Sequence, residues 1–353
     1  SSDLSYTVAQ LKAINDKVGG EITLTNRGVN LVGSAADLKD ALAGSFASGA
    51  THTGEVKVTG TYNVSQLKAI NTGTDGALHL DTRNVALTGS GSDLADALTG
   101  NFTADKTHNG VVKVTGSDYT VTDLVTINAG NEGGEIHLVN RTVGLSGSAA
   151  NVKAALAGNF TTDKTHTGVV TLSDNGTTVN ATDITAIETA KGSGNINITN
   201  AVALSGTGEK LKSAATALDT IHGSTTATVT DTSYTVAQLK AINDKVGGEI
   251  SLTNRGVNLV GSAADLKDAL AGSFAAGQTH TGEVKVTGTY NVSQLKAINT
   301  GTDGALHLDT RNVALTGSAA NLEDALAGSF TSGETHTGVV KITGTYNVTQ
   351  LKA

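Results

Sequence analysis

All nine histidines, the side chains best suited to chemistry at neutral pH, recur at fixed positions. Six precede a predicted strand: His52, His108, His166, His222, His280 and His336. Three more, His79, His137 and His307, lie in Leu-His-Leu or Ile-His-Leu segments. A shared metal ion needs two imidazole nitrogens at about 2.0–2.1 Å. Equivalent histidines in stacked strands would be about 10 Å apart, so the pattern favours structural or surface histidines and predicts no metal site.

Carboxylate pairs recur on segments that we expect to be helical. They are Asp37/Asp40, Asp93/Asp96, Asp265/Asp268 and Glu323/Asp324. Such pairs could serve acid–base catalysis or bind Ca²⁺. Asn151 and Ala154 replace the pair in one unit, and acids near a helix N-terminus favourably oppose the helix dipole. We therefore interpret them as structural. Structural calcium between coils is an alternative, but no sequence motif supports it, because the Gly-Gly-x-Gly-x-Asp nonapeptide of calcium-loaded β-rolls is absent.

Threonines flank two of the histidines, in Thr51-His-Thr53 and Thr279-His-Thr281. A regular threonine face could bind ice or a crystalline polysaccharide, but the units vary in length by a few residues. We expect these hydroxyls mainly to satisfy turns and strand edges. No Ser/His/Asp arrangement recurs beside an oxyanion-type loop. The sequence thus predicts no catalytic residue, no cofactor-binding residue and no enzyme activity.

The elements that position these residues recur about every 56 residues, a period typical of tandem repeats. Units begin near residues 6, 62, 119, 178, 234, 290 and 346. Tyrosine occurs at one phase only, at Tyr6, Tyr62, Tyr119, Tyr234, Tyr290 and Tyr346, with Thr178-Val179 in the remaining slot. Phenylalanine occurs at another, at Phe46, Phe102, Phe160, Phe274 and Phe330. The blocks 5–90 and 233–318 differ only at Thr23/Ser251, Ser48/Ala276 and Ala50/Gln278, and they are offset by 228 in the numbering, or four units.

Each unit divides into two related halves of about 28 residues. Both halves are predicted to run strand, turn, short strand and a two-turn helix, since Val56/Val58 and Ile22/Leu24 alternate with period two. Thr7 with Gln10, Asn63 with Gln66, and Ser34 with Asp37 fit capping boxes at helix starts. The second helix should end in a left-handed glycine cap, at Gly44, Gly100, Gly158, Gly272 and Gly328.

Short helices of this length are unstable alone and must pack on strands. The sequence therefore predicts an α/β repeat solenoid. Parallel strands would stack coil on coil, with helices on another face, about 28 residues per coil and two coils per unit. Residues 1–353 would form a single elongated domain. The alternative is a string of separate domains of about 56 residues each, close to the lower size limit for a stable core. The chain starts and stops at nearly the same phase, in mid-unit, which suggests a longer tandem array.

Composition limits the function classes. The chain has no Cys, Met, Trp or Pro, and its net charge is −8. Absence of cysteine excludes disulfides and thiolate chemistry. A nucleic-acid surface would need clustered Lys and Arg, so we expect no nucleic-acid partner. No apolar run approaches the roughly 20 residues of a membrane span.

Two sequence patterns carry a family resemblance: Val-x-Val-Thr-Gly-x-Tyr-x-Val-x-Gln-Leu-Lys-Ala-Ile-Asn and Val-Ala-Leu-Thr-Gly-Ser-Ala-Ala-Asn-Leu. They resemble tandem repeats of giant exported bacterial surface proteins, such as adhesins and cell-surface filament proteins, including those of cyanobacteria. The resemblance implies a secreted, extracellular protein that forms a fibre, sheath, surface layer or adhesin stalk. Its partners would be copies of itself and cell-surface polysaccharide. The second hypothesis is a carbohydrate- or ice-binding module that uses a Thr/Asn/His face.

Overall fold

The computed structural model describes residues 5–347, and they form an α/β fold of short helices and short parallel strands. In this range the helices are α1 (Val8–Asn15), α2 (Ala35–Leu42), α3 (Val64–Thr72), α4 (Gly91–Leu98), α5 (Val121–Gly130), α6 (Ala149–Leu156), α7 (Ala181–Ala190), α8 (Gly208–Ala217), α9 (Val236–Lys245), α10 (Ala263–Leu270), α11 (Val292–Gly301) and α12 (Ala319–Leu326). The unit predicted to begin near residue 346 lies almost wholly outside the described residues.

The strands are only three or four residues long. They are β1 (Leu31–Ser34), β2 (Val56–Thr59), β3 (Leu78–Leu80), β4 (Leu87–Gly89), β5 (Val112–Val114), β6 (Ile136–Leu138), β7 (Leu145–Gly147), β8 (Val170–Leu172), β9 (Thr178–Asn180), β10 (Ile196–Ile198), β11 (Ala203–Gly206), β12 (Leu218–Thr220), β13 (Thr226–Val229), β14 (Ile250–Leu252), β15 (Leu259–Ser262), β16 (Val284–Thr287), β17 (Leu306–Leu308), β18 (Leu315–Ser318) and β19 (Val340–Thr343).

The chain divides into two compact parts. The first contains the described residues up to Val170 together with Thr189–Asn195, and the second contains Thr171–Glu188 and the described residues from Ile196 onward. The first part holds the parallel sheets β1-β2-β3 and β4-β5-β6. The second holds the parallel sheets β9-β11-β13-β14 and β15-β16-β17, and the pair β18-β19.

Strand register differs from the predicted coil of about 28 residues. In the first part Leu31 pairs with Val56, Val56 with Leu78 and Leu78 with Phe102. Paired residues are therefore 25, 22 and 24 positions apart. Strand β2 pairs on one side with β3, its equivalent in the next half, but on the other side with β1, the second strand of the preceding half. The second strand predicted for the tyrosine half occurs among the described residues only as β9.

Helix starts follow the predicted capping chemistry. Thr7 and Asn63 form full capping boxes, with Gln10 and Gln66 respectively. Ser34 accepts a hydrogen bond from the backbone N–H of Asp37, but the Asp37 carboxylate accepts from the Ser34 hydroxyl and not from its backbone. The box in that half is therefore one-sided.

The glycine after the second helix has a different role from the predicted left-handed cap. Helix α2 ends at Leu42, its C-cap residue Ala43 has φ of −75°, in the right-handed region, and Gly44 does not have a positive φ. A Cβ on Gly44 would lie 2.8 Å from Oδ1 of Asn15 and 2.9 Å from Cδ1 of Ile22. Close packing against Asn15 and Ile22, and not backbone handedness, therefore requires glycine at this position.

The core consists of the inward residues of the strands and one face of each helix. Val56, Val58 and Leu67 are completely buried. The tyrosine slot is part of this core, since Tyr119 is 2% exposed. Val179, in the repeat that lacks a tyrosine, is also 2% exposed. An apolar side chain thus fills the same position when the aromatic ring is missing.

Candidate functional site

Four of the six histidines that precede a strand have buried rings, at equivalent positions of the repeat. His52, His108, His166 and His280 have no solvent exposure. In each ring Nε2 lies 2.6–2.7 Å from a backbone carbonyl, those of Val29, Val85, Val143 and Val257 respectively. A carbonyl only accepts hydrogen bonds, so it favours a proton on Nε2. Each imidazole therefore joins its own segment to a valine that lies 23 residues earlier, shortly before a strand.

In three of the four rings the other nitrogen meets a side chain that follows in the chain, whereas Nδ1 of His166 is buried without a hydrogen-bond partner in the described part of the chain. Nδ1 of His52 lies 2.8 Å from the hydroxyl of Thr74, and Nδ1 of His280 lies 2.9 Å from that of Thr302. The Thr74 hydroxyl also accepts from the backbone N–H of Gly76 at 3.0 Å. The same hydroxyl lies 3.0 Å from the His52 carbonyl, so its one proton has two acceptors within reach: that carbonyl, and Nδ1 of a neutral ring that carries its proton on Nε2.

Burial lowers the pKa of these four histidines below the ordinary value of 6.5, because the apolar interior disfavours the charged form. They are therefore neutral near pH 7. Both nitrogens of His52 are bonded within the protein, which leaves neither for a ligand. Among the described residues no group of three or more His, Cys, Asp or Glu side chains could hold a metal ion.

The remaining histidines lie nearer the surface. His79, His137 and His307 face the carboxylates of Glu55, Glu135 and Glu283 at 3.8, 3.2 and 3.8 Å respectively. His222 is exposed and accepts a hydrogen bond from the backbone of Ser224. Nδ1 of His336 lies 3.0 Å from the Tyr290 hydroxyl.

The predicted carboxylate pairs bind lysines of the preceding helix. Lys68 of α3 lies 2.7 Å from Asp93 and 2.9 Å from Asp96 of α4. The pairs Lys240–Asp268, at 2.6 Å, and Lys296–Asp324, at 2.7 Å, repeat the arrangement. In the unit where Asn151 and Ala154 replace the acids, Val125 takes the place of Lys68. Because the acids and the lysine are lost together, we infer that these carboxylates act in ion pairs between consecutive helices.

A row of arginines is a feature that the sequence analysis missed. All five arginines donate from Nε to a threonine carbonyl 24 residues later, at 2.6–2.9 Å: Arg27 to Thr51, Arg83 to Thr107, Arg141 to Thr165, Arg255 to Thr279 and Arg311 to Thr335. The sequence did contain a signal for these contacts, because arginine occurs at only one position of the repeat. These bonds use the threonines beside the buried histidines to join successive segments.

Two grooves lie on the helix side, at equivalent positions of the two near-identical blocks. One, of about 930 Å³, lies between the end of α2 and the start of α3 and is lined by Phe46, Thr51, Asn63 and Lys68. The other, of about 790 Å³, has the equivalent residues Phe274, Thr279, Asn291 and Lys296. Each combines a half-buried aromatic ring with hydroxyl, amide and amine groups.

Fold and contacts together define an α/β tandem-repeat protein in which recurring histidine, arginine and lysine side chains join one segment to the next. Comparison with protein-family models and with curated protein sequences finds no match for this chain. Within residues 5–347, none of the helices combines the length and the hydropathy that a membrane-spanning helix requires.

Proposed function

We propose that this chain is a non-enzymatic structural protein, an α/β solenoid that builds an extracellular fibre, sheath, surface layer or adhesin stalk. The supporting observation is the use of its reactive side chains. Histidine, arginine, lysine and aspartate recur in contacts between successive segments, such as His52 with Val29 and Lys68 with Asp93. Side chains used in this way extend a stack and do not form a single active centre.

The solenoid form itself is part of the proposal. Within each compact part of the structure, parallel pairing passes from strand to strand in steps of 22–25 residues, and consecutive helices such as α3 and α4 pack together. In a tandem stack each repeat is stabilised by its neighbours. Such a body gains length with every added repeat.

A core substitution distinguishes a continuous stack from independent beads. Leu124 is completely buried, and its truncation to alanine should cost about 2–5 kcal/mol. In a stack, hydrogen exchange should accelerate in the repeats on both sides of residues 119–177. Exchange that accelerates only within those residues would show separate beads. Val139→Ala is the control, because Val139 is 55% exposed.

Self-association supplies the proposed partner, a second copy of the chain. On the outer side of the sheets, Val32 and Val260 are 59% and 58% exposed at equivalent positions of the two near-identical blocks. Many identical weak contacts between two rods would add up through avidity. Electron microscopy of the purified chain should show rods that bundle as concentration rises. Val32→Asp with Val260→Asp should leave the rods intact but prevent bundling, and unchanged bundling would remove this face from the proposal.

Polysaccharide binding is the second candidate, favoured by the two grooves. Binding pockets combine apolar walls with a few placed polar groups, which matches the lining of Phe46, Thr51 and Asn63. The buried rings of His52 and His280 cannot contribute to such a surface. Sedimentation with insoluble polysaccharides tests the candidate. Phe46→Ala with Phe274→Ala should abolish retention, whereas Ser48→Ala should not. If the double variant still sedimented with the polysaccharide, the grooves would be excluded as its binding site.

A further inference from the structure

The arginine row carries an outer ion pair in several segments. Beyond its bond to Thr51, the guanidinium of Arg27 places Nη2 3.7 Å from the carboxylate of Asp75. In the next repeat Arg83 and the Thr107 hydroxyl both bind the carboxylate of Glu132. A carboxylate therefore joins an arginine and a threonine that come from two earlier segments.

One segment keeps this arrangement but lacks the carboxylate. Arg141 donates from Nε to the Thr165 carbonyl at 2.7 Å, as its counterparts do. The backbone N–H of Gly192 donates to the carbonyl of His166 at 2.8 Å, as Asp75 does to His52. Gly192 therefore occupies the position of Asp75 without a side chain. Among the described residues, no ion pair joins Arg141 to a carboxylate.

Donors converge on the place where the missing side chain would begin. An ideal Cβ on Gly192 would lie 2.9 Å from the Thr165 hydroxyl oxygen and 3.3 Å from Nη2 of Arg141. Lys191, next to Gly192, holds the position of Thr74 and donates from Nζ to the carbonyl of Gly194 at 2.6 Å. The Arg141 guanidinium and the Thr165 hydroxyl therefore lie beside an exposed glycine.

We propose that this segment binds a small oxyanion, a carboxylate or a phosphate, in the place that the Asp75 and Glu132 carboxylates take elsewhere. The planar guanidinium binds such groups through paired N–H donors, and the Thr165 hydroxyl supplies a third. The anion comes either free from solution or as the acidic group of a sugar. Bound there, it completes the contact between three segments that the other repeats make with their own side chains.

Phosphate titration of the full chain, at ionic strength held constant with sodium chloride, tests the site. We expect the backbone N–H signal of Gly192 to shift in saturable fashion in ¹⁵N-resolved NMR spectra. The signal of Asp75 serves as an internal control and should not move. Galacturonate and oligogalacturonate form the second arm, and tighter binding of the oligomer would identify an acidic polysaccharide as the source.

Variants supply the decisive comparison. Gly192→Asp provides a carboxylate within the chain and should weaken phosphate binding by at least about tenfold, about 1.4 kcal/mol. Arg141→Gln should weaken it equally. It removes the Nε bond to the Thr165 carbonyl but keeps the bonds that the Arg141 carbonyl accepts from the backbone N–H groups of Thr167 and Gly168, and circular dichroism checks that both variants fold. Asp75→Gly should create a second site beside Arg27. An unresponsive Gly192 signal, or undiminished binding by both Gly192→Asp and Arg141→Gln, would overturn the proposal.

Discussion

The side-chain carbonyl of Asn131 lies 2.9 Å from Nδ1 of His108, where the equivalent nitrogen of His52 meets a threonine hydroxyl. The Asn131 amide group donates to the carbonyl of Gly134 at 2.8 Å, which fixes its orientation. Nε2 of His108 faces the Val85 carbonyl at 2.7 Å. Both ring nitrogens therefore face acceptors, and only the imidazolium can donate to both. Burial opposes that charge and lowers the pKa of His108.

Asn131→Thr should lower the pKa of His108 further. The hydrogen bond that Nδ1 donates to the Asn131 side-chain carbonyl is one of the interactions that raise this pKa against burial, and a threonine hydroxyl can donate to the neutral ring instead. An NMR titration of the Cε1 proton measures the change. The His52 titration in the same sample is the control and should not shift. A higher pKa for His108 in the variant would contradict the assignment of Asn131 as an acceptor.

Mild acid should destabilise the fold through the four buried histidines. Because burial holds the pKa of His52 and its counterparts below 6.5 in the folded state, the unfolded chain takes up protons first as the pH falls through about 6.5. Stability therefore declines from pH 7 toward pH 5. The hydrogen bond from Lys12 lowers the pKa of Asp40 from 3.8. The stability that this ion pair contributes is therefore lost only at more acidic pH, below the range of the histidine effect. Urea unfolding at pH 7.5, 6.5 and 5.5 measures the trend, and greater stability at pH 5.5 would refute it.

Local features of the fold were accessible from sequence, because they depend on neighbours in the chain. The capping box of Thr7 and Gln10 involves residues three positions apart. Val179 stands at the repeat position that tyrosine occupies in the other units, which the sequence alone shows. The burial of Val179 agrees with a common core position. Such features need no knowledge of which strands pair.

Strand register and long-range polar contacts were not accessible in the same way. The alternating pattern around Val56 predicts a strand with one buried face. It does not predict that Val56 pairs with Leu31 on one side and Leu78 on the other. Near-equal halves favoured pairing of equivalent strands only, whereas the structure also pairs β1 with β2, which are not equivalent. The Lys68–Asp93 contact spans 25 residues, and it depends on how α3 and α4 pack. Glycine at position 44 likewise reflects a neighbour from another segment.

Thr74→Val should destabilise the protein by about 1–3 kcal/mol, the usual cost of leaving buried polar groups without partners. The substitution preserves shape but removes the hydroxyl that meets Nδ1 of His52 and the backbone N–H of Gly76. Thr72→Val is the matched control. Its hydroxyl bonds to the Lys68 carbonyl on an exposed helix face, so its loss should cost less than about 0.5 kcal/mol. Equal losses of stability in the two variants would show that Thr74 has no special role.

Asp105→Gly should stabilise the protein. Asp105 has φ of 61°, in the left-handed region, where the equivalent positions Gly49 and Gly277 have φ of 72° and 70°. This conformation costs a non-glycine residue about 1–2 kcal/mol, and glycine loses about 0.5–1 kcal/mol more backbone entropy on folding. These two ranges give a net gain of up to about 1.5 kcal/mol, read from the urea midpoint. Gly49→Asp is the reverse change and should lower the midpoint by a similar amount. If Asp105→Gly instead lowered the midpoint, contacts of the aspartate side chain would outweigh backbone strain at this turn.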